Sequence, residues 1–265
     1  MTLPAAVEAV CRTFLAEAPP GLVTGLHLRG GVAFGEWVPG GSDIDFVATL
    51  AHRPSGEEVE ALRAAHERVA LAHPDHPFDG PHLLVEDLTR DPALCPDVPS
   101  VMHHHFEDEA PVGDAMVAWH ELARHGITVL GTPHTELGIW TSQPALLEFT
   151  RANLDTYWRS TAEALAAMPQ EGASEEACCW CVLGVARLHH LLVTGEMTTK
   201  SAAGRWGLTH YPERFHRVLG EALRIRDGIR VGAGSESPVE YPAAERGQDT
   251  ADFTAYVVAE GVASP

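Results

Sequence analysis

Hydrophobic and polar positions change their spacing about halfway along the chain. Up to residue 140 the apolar positions fall in short runs broken by Gly, Pro and charged residues. The spacing predicts a helix over 4–18, ended by Pro19-Pro20-Gly21, and a strand over 22–28. Gly30-Gly31 then turns the chain into a short helix, and Asp43-Ile44-Asp45-Phe46 leads a second strand into the apolar run 47–50. Residues 55–72 read as a helix opened by a Ser cap, with Glu58 three residues on to bond back. Strands are expected at 80–85, 101–106 and 127–130, with a helix at 114–125 stopped by Gly126. From Gln143 onward the period is helical, at about 144–168, 174–195, 198–207, 211–226 and 246–260, with no convincing strand. The chain therefore reads as α+β, with a mixed domain over 1–140 and an all-helical domain over 141–265. The Gly-, Ser- and Pro-rich stretch 228–244 reads as a mobile linker ahead of the last helix.

Charge narrows the possibilities. Among 265 residues, 37 acids face 18 Lys and Arg, a net charge of −19. Such a surface repels DNA, RNA and anionic membranes and attracts polycations by long-range steering. It argues against work on a nucleic-acid template, although acidity also serves plain solubility. The five cysteines include a cluster at Cys178, Cys179 and Cys181, without further Cys or His at zinc spacing; buried small hydrophobes are the simpler reading. The N-terminus lacks a positive leader, and the longest apolar stretch, 177–193, is interrupted by Arg187, His189 and His190. A cytoplasmic protein with reduced thiols and no membrane span is expected.

The strongest local signal is the pair Asp43 and Asp45. Residues i and i+2 of a strand share a face, so the two carboxylates point one way while Ile44 and Phe46 pack beneath. Beside a glycine turn with free backbone N–H groups, that makes a site for Mg²⁺ and phosphate. Asp-x-Asp alone would read as a solvated turn before an edge strand; Gly-Gly at this spacing changes the balance.

Gly30-Gly31, eleven intervening residues and Asp43-Ile44-Asp45-Phe46 resemble the signature of the DNA polymerase β-type nucleotidyltransferase superfamily. With Ser42 just before the acids, the segment resembles the bacterial aminoglycoside adenylyltransferases of the streptomycin/spectinomycin group. That group usually carries Ser where Gly31 stands, so one hydroxyl for the phosphates is missing. The resemblance implies a nucleotidyltransferase domain followed by a helical bundle, with ATP and Mg²⁺ as cofactors. Asp43 and Asp45 would hold metal, and Gly30, Gly31 and Ser42 would lie against the nucleotide.

Transfer to a hydroxyl needs a group to accept its proton. Asp79, ahead of the strand 80–85, matches the place of the family's catalytic carboxylate, which is usually the longer Glu; it would also touch the substrate. Glu86 and Asp87 at the strand's far end are the alternatives, and Asp before Gly is also a common turn. In the helix 174–195, Trp180, Gly184, Arg187 and Leu191 form one stripe. An Arg on so apolar a helix suits phosphate, or else an internal ion pair. Trp180, about 10 Å back along the same face, offers a sugar a stacking surface. Residues 181–200 resemble the adenylyltransferases' helix and turn, which implies Arg187 and Lys200 at the nucleotide phosphates. Glu176 lies near the acids with which that family holds drug amines. His103-His104-His105 are expected in a strand, where alternate residues diverge and cannot converge on one ion.

The expectation is an ATP- and Mg²⁺-dependent adenylyltransferase that places AMP on a hydroxyl of a cationic, aminoglycoside-like antibiotic and so confers resistance. Two other readings are AMPylation of a helical protein partner, as in toxin–antitoxin pairs, and a degenerate nucleotide-binding module suggested by Gly31. Arg205 and His210 match the Arg-x₄₋₆-His pattern of such AMPylated partners, though Gly207 argues against a regular helix there.

Overall fold

A computed structural model describes residues 2–231 and 241–263. The chain divides into two compact units, Met1–Ser142 and Gln143–Pro265. The first unit runs α1 (Ala5–Glu17), β1 (Val23–Leu28), α2 (Gly30–Ala33), β2 (Ile44–Leu50), α3 (Gly56–Ala72), β3 (Phe78–Leu83), α4 (Val85–Leu88), β4 (Val98–Met102), β5 (His105–Ala110), α5 (Ala115–His125) and β6 (Ile127–Leu130). The second is helical: α6 (Gln143–Asn153), α7 (Arg159–Ala167), α8 (Glu175–Thr194), α9 (Lys200–His210), α10 (His216–Val231) and α11 (Ala243–Ala263). Of the stretch read as a linker, 232–240 lies outside the described residues. The α+β class expected from the sequence holds.

The six strands form one sheet in the order β5-β4-β3-β2-β1-β6. Only β2 and β3 run parallel; the remaining neighbours are antiparallel. Phe14, Leu26, Leu28, Ile44, Phe46 and Phe78 are buried together with α1. Val47, Leu83 and Trp119 belong to a second cluster with α5. Helix α3 starts where the sequence placed it: Ser55 and Glu58 bond reciprocally in a capping box, worth about 1 kcal/mol.

Helix α8 is the core helix of the second unit. Ser174 accepts from Ala177 N at its start (3.0 Å), and Gly195 ends it in the left-handed conformation. Cys178, Cys181, Val182, Val185 and Leu183 are buried in a large apolar cluster of the unit. By length and composition α8 could cross a membrane, yet 56% of its apolar window is buried inside the unit, as a core helix's would be. Gly207 does not interrupt α9; a Cβ there would meet the Tyr211 ring at 3.0 Å, so glycine serves close packing rather than a break.

Candidate active site

The glycine turn is built for an adjacent carboxylate. Strand β1 ends at Arg29, and Gly30 takes φ +59° to open α2. A Cβ on Gly30 would collide with Asp45 Oδ2, so both the backbone conformation and the neighbour require glycine. Gly31 is under neither constraint: a Cβ would find its nearest atom 3.7 Å away, on Trp37. The loop before the acids is pinned by Trp37 Nε1, which donates to the Ser42 carbonyl (3.1 Å).

Parallel pairing of β2 with β3 sets Asp45 directly opposite Asp79. Asp43 lies two residues before Asp45 and so faces the same side. The close approach of the strands depends on Gly80, whose added Cβ would strike the Phe46 carbonyl. Strand β3 begins two residues earlier than the sequence suggested, with Asp79 inside it rather than at its mouth. Gly80 and Pro81 look like breakers, but here one permits strand contact and the other pairs with Ser100.

The electrostatics of these acids differ. Asp79 is buried; its Oδ2 accepts from His103 N at 2.9 Å, while Oδ1 is buried with no partner among the described residues. Burial raises its pKa, the His103 N–H opposes this, and the Asp43 charge adds to the rise. Asp45 is pushed up to about 7, by burial first, with the Arg29 guanidinium opposing and Asp43, Glu121 and Asp114 adding. Arg29 is itself buried and reaches Asp114 (2.7 Å), Glu121 (3.1 Å) and Asp45 (3.5 Å). Burial works against its charge, but the three acids together hold its pKa above the usual arginine value. Asp43 is exposed.

Residues Asp43, Asp45, Asp79 and Gly30 thus come together. Glu86 is exposed on α4, and Asp87 already accepts from Leu84 N (2.8 Å) and pairs with Arg53; neither belongs to this group. The His run is not a continuous strand: His103 and His104 form the turn of the β4–β5 hairpin, with φ of 50° and 64°. The three still do not converge, yet His103 reaches Asp79.

In the helical unit, Trp180 is 39% exposed and lies against Trp158, ring centroids 4.5 Å apart. Gly184 admits the Trp158 ring, which a Cβ would meet at 2.8 Å. Arg187 is half-buried on the same helix, and Lys200 opens α9, where Thr199 caps by accepting from Ala202 N (3.0 Å). Glu176 is exposed in the first turn of α8, one turn before Trp180.

Sequence reasoning missed Arg29, Asp114 and Glu121, and it placed His103 in a strand where it could join no ion site. The only local signal was Arg29 itself, a charge closing an apolar strand immediately before the glycines.

The carboxylate trio lies against a glycine turn on a mixed sheet, and a helical unit follows it in the chain. Residues 149–242 match the family model described as the C-terminal domain of aminoglycoside adenylyltransferases. The crystal structure of spectinomycin adenyltransferase AAD(9) from Enterococcus faecialis, with ATP and spectinomycin, has a similar fold. Its TM-score is 0.66 at 12% identity, covering 96% of this chain and 97% of that one. No curated protein sequence matches.

Proposed function

We propose that the protein transfers AMP from ATP to a hydroxyl of an aminoglycoside-like, cationic small molecule. The observation that carries this reading is the register of Asp45 with Asp79 across parallel strands, Asp43 on the same side, and a carboxylate oxygen of Asp79 left buried without a partner among the described residues. The residues fit a divalent cation on that ground, since an orphaned buried oxygen and crowded like charges both favour positive charge arriving. Asp43 and Asp45 would hold Mg²⁺. When bound, Mg²⁺ supplies neutralisation of the triphosphate and lowers the barrier to in-line attack.

The chain's own residues do the rest. The Gly30-Gly31 turn and the start of α2 present backbone N–H groups to phosphate, with Ser42 beside them. Asp79 accepts the proton of the attacking hydroxyl; burial makes it a stronger base than an exposed Asp, and the His103 N–H fixes its orientation. Arg187 and Lys200 are assigned to the phosphates, and Trp180, Glu176 and Asp79 to the substrate. The similar structure contained ATP and spectinomycin, and the net charge of −19 suits a cationic substrate. Pyrophosphate release with ATP·Mg²⁺ over an aminoglycoside and aminocyclitol panel tests the reading. Release dependent on one drug class is expected; release with none of them rejects it.

A further inference from the structure

The β4–β5 hairpin turn brings to the acids not only a backbone N–H but an imidazole, for which the proposed transfer has no use. Two consecutive non-glycine residues in the left-handed region are uncommon, and a two-residue turn of this kind ordinarily carries Asn-Gly. Here the turn aims the His103 N–H at Asp79 and leaves His103 Nδ1 3.7 Å from the same carboxylate oxygen. One ligand atom each from Asp43, Asp79 and His103 lies within 4.8 Å of the others. The Asp79 side chain is only 10% exposed, and its Oδ1 has no partner among the described residues. His104 turns away and donates to the Pro74 carbonyl (3.3 Å).

On the same acidic site as the transfer reading, we infer that Asp43, Asp79 and His103 form a three-ligand site for Zn²⁺ that inhibits transfer. One imidazole with two carboxylates suits zinc, whereas Mg²⁺ takes oxygen ligands and keeps several waters. Ligand bonds of about 2.0–2.2 Å in a tetrahedron put neighbouring donors roughly 3.4 Å apart. The 3.7 Å separation of Nδ1 from Asp79 reaches that with a small swing of the His103 ring, which is 76% exposed and free of the core. Three protein ligands leave a fourth position for water or a phosphate oxygen. Zinc held there occupies Asp79 and draws on Asp43, so the hydroxyl's proton has no acceptor and Mg²⁺ loses a ligand. No covalent step is involved; inhibition is competition for the two carboxylates.

The test is a titration of nucleotide-free, drug-free protein with Co²⁺, whose visible bands report coordination geometry, followed by displacement with Zn²⁺. The wild type is expected to bind one Co²⁺ with the strong bands of a four-coordinate site, which Zn²⁺ abolishes. His103→Asn keeps the turn's preference and the N–H to Asp79, and should weaken Co²⁺ binding at least about tenfold by removing one of three ligands. His104→Asn, in the same turn, should stay within about twofold. Absence of such bands in the wild type overturns the inference, as does equal affinity in His103→Asn or an equal loss in both variants. Because neither ATP nor drug is present, failure here leaves the transfer reading standing. Conversely, His103-dependent binding by a protein that transfers nothing would reject the transfer reading and the inhibitory role with it, and leave the three-ligand site standing.

Discussion

In the sheet-bearing unit the buried side chains include Arg29, Asp79, Asp87, Glu121 and four histidines, His27, His66, His82 and His120. In the helical unit, among the described residues, buried charge is confined to Glu221. That carboxylate is well matched: Arg224 Nε lies at 2.7 Å and Arg246 at 3.1 Å, and the Arg224 hydrogen bond pulls its pKa below the ordinary range. In the first unit one guanidinium faces three acids, and Asp79 keeps an oxygen without a donor among the described residues. Burying a charge without full compensation is costly. Under the proposed function, the uncompensated negative charge is the reactive region and the balanced network is scaffold.

Substitutions of one acid in each unit give the largest contrast. Asp45→Asn should lower AMP transfer at least about a thousandfold, some 4 kcal/mol of transition-state stabilisation. Its melting temperature should not fall, because Arg29 keeps Asp114 and Glu121. Glu221→Gln should do the reverse, costing about 1–3 kcal/mol of stability by leaving two arginines underpaired. Transfer rates and thermal melts of both variants check this; equal behaviour would erase the distinction between the units.

Acid separates the units a second way. His27, His82 and His189 are each lowered to about 4, burial being the first cause. His66 and His82 share a hydrogen bond between ring nitrogens at 3.0 Å, which requires one N–H and one lone pair. For a depressed histidine the unfolded chain binds more protons below about pH 6.5, so stability is complete above that pH and falls as pH drops towards 4. Each such histidine costs about 2 kcal/mol at pH 5. His27, His82 and the strongly depressed His66 lie in the first unit and His189 in the second, so the first should lose at least about 2 kcal/mol more between pH 7 and 5. Native-state hydrogen exchange resolved by unit measures this, and a greater loss in the helices would contradict it.

Lys200→Ala should weaken ATP binding by about 1.5–3 kcal/mol, one charge-assisted bond. Calorimetry with unchanged affinity would return Lys200 to the solvated surface and leave nucleotide binding to the first unit. The smallest effect is expected from Gly31→Ser. Its backbone is not left-handed, and 3.7 Å of clearance accommodates a side chain. The fold should be unchanged and ATP affinity should rise by about 0.5–1.5 kcal/mol through one new hydroxyl bond; a weaker complex would mean that glycine is needed there.

What could be read from the sequence was what local spacing encodes. The capping box of α3, the glycine turn, the Asp-x-Asp face and the helical period after residue 142 all involve neighbours within a few positions. The remainder depended on distant partners. Arg29 acquires meaning from Asp114, 85 residues away, and His103 from Asp79, 24 residues away. The start of β3 was placed two residues late because Asp79 before Gly80 resembles a turn, whereas Asp79 pairs with Asp45 inside the strand. The histidine run was read as part of a strand over 101–106, whereas the hairpin turns on two side chains in a conformation usually left to glycine or asparagine.

The central claim, that these acids carry AMP transfer to a cationic drug, is tested most directly by mass spectrometry of drug and protein after one turnover with ATP·Mg²⁺. Wild type and Asp79→Asn would be compared at equal ATP occupancy. The wild type should add AMP to the drug, and Asp79→Asn should bind ATP yet transfer about 10²–10⁴ times more slowly, as loss of a general base requires. AMP on the protein instead of the drug, on neither, or undiminished transfer by Asp79→Asn would contradict the account.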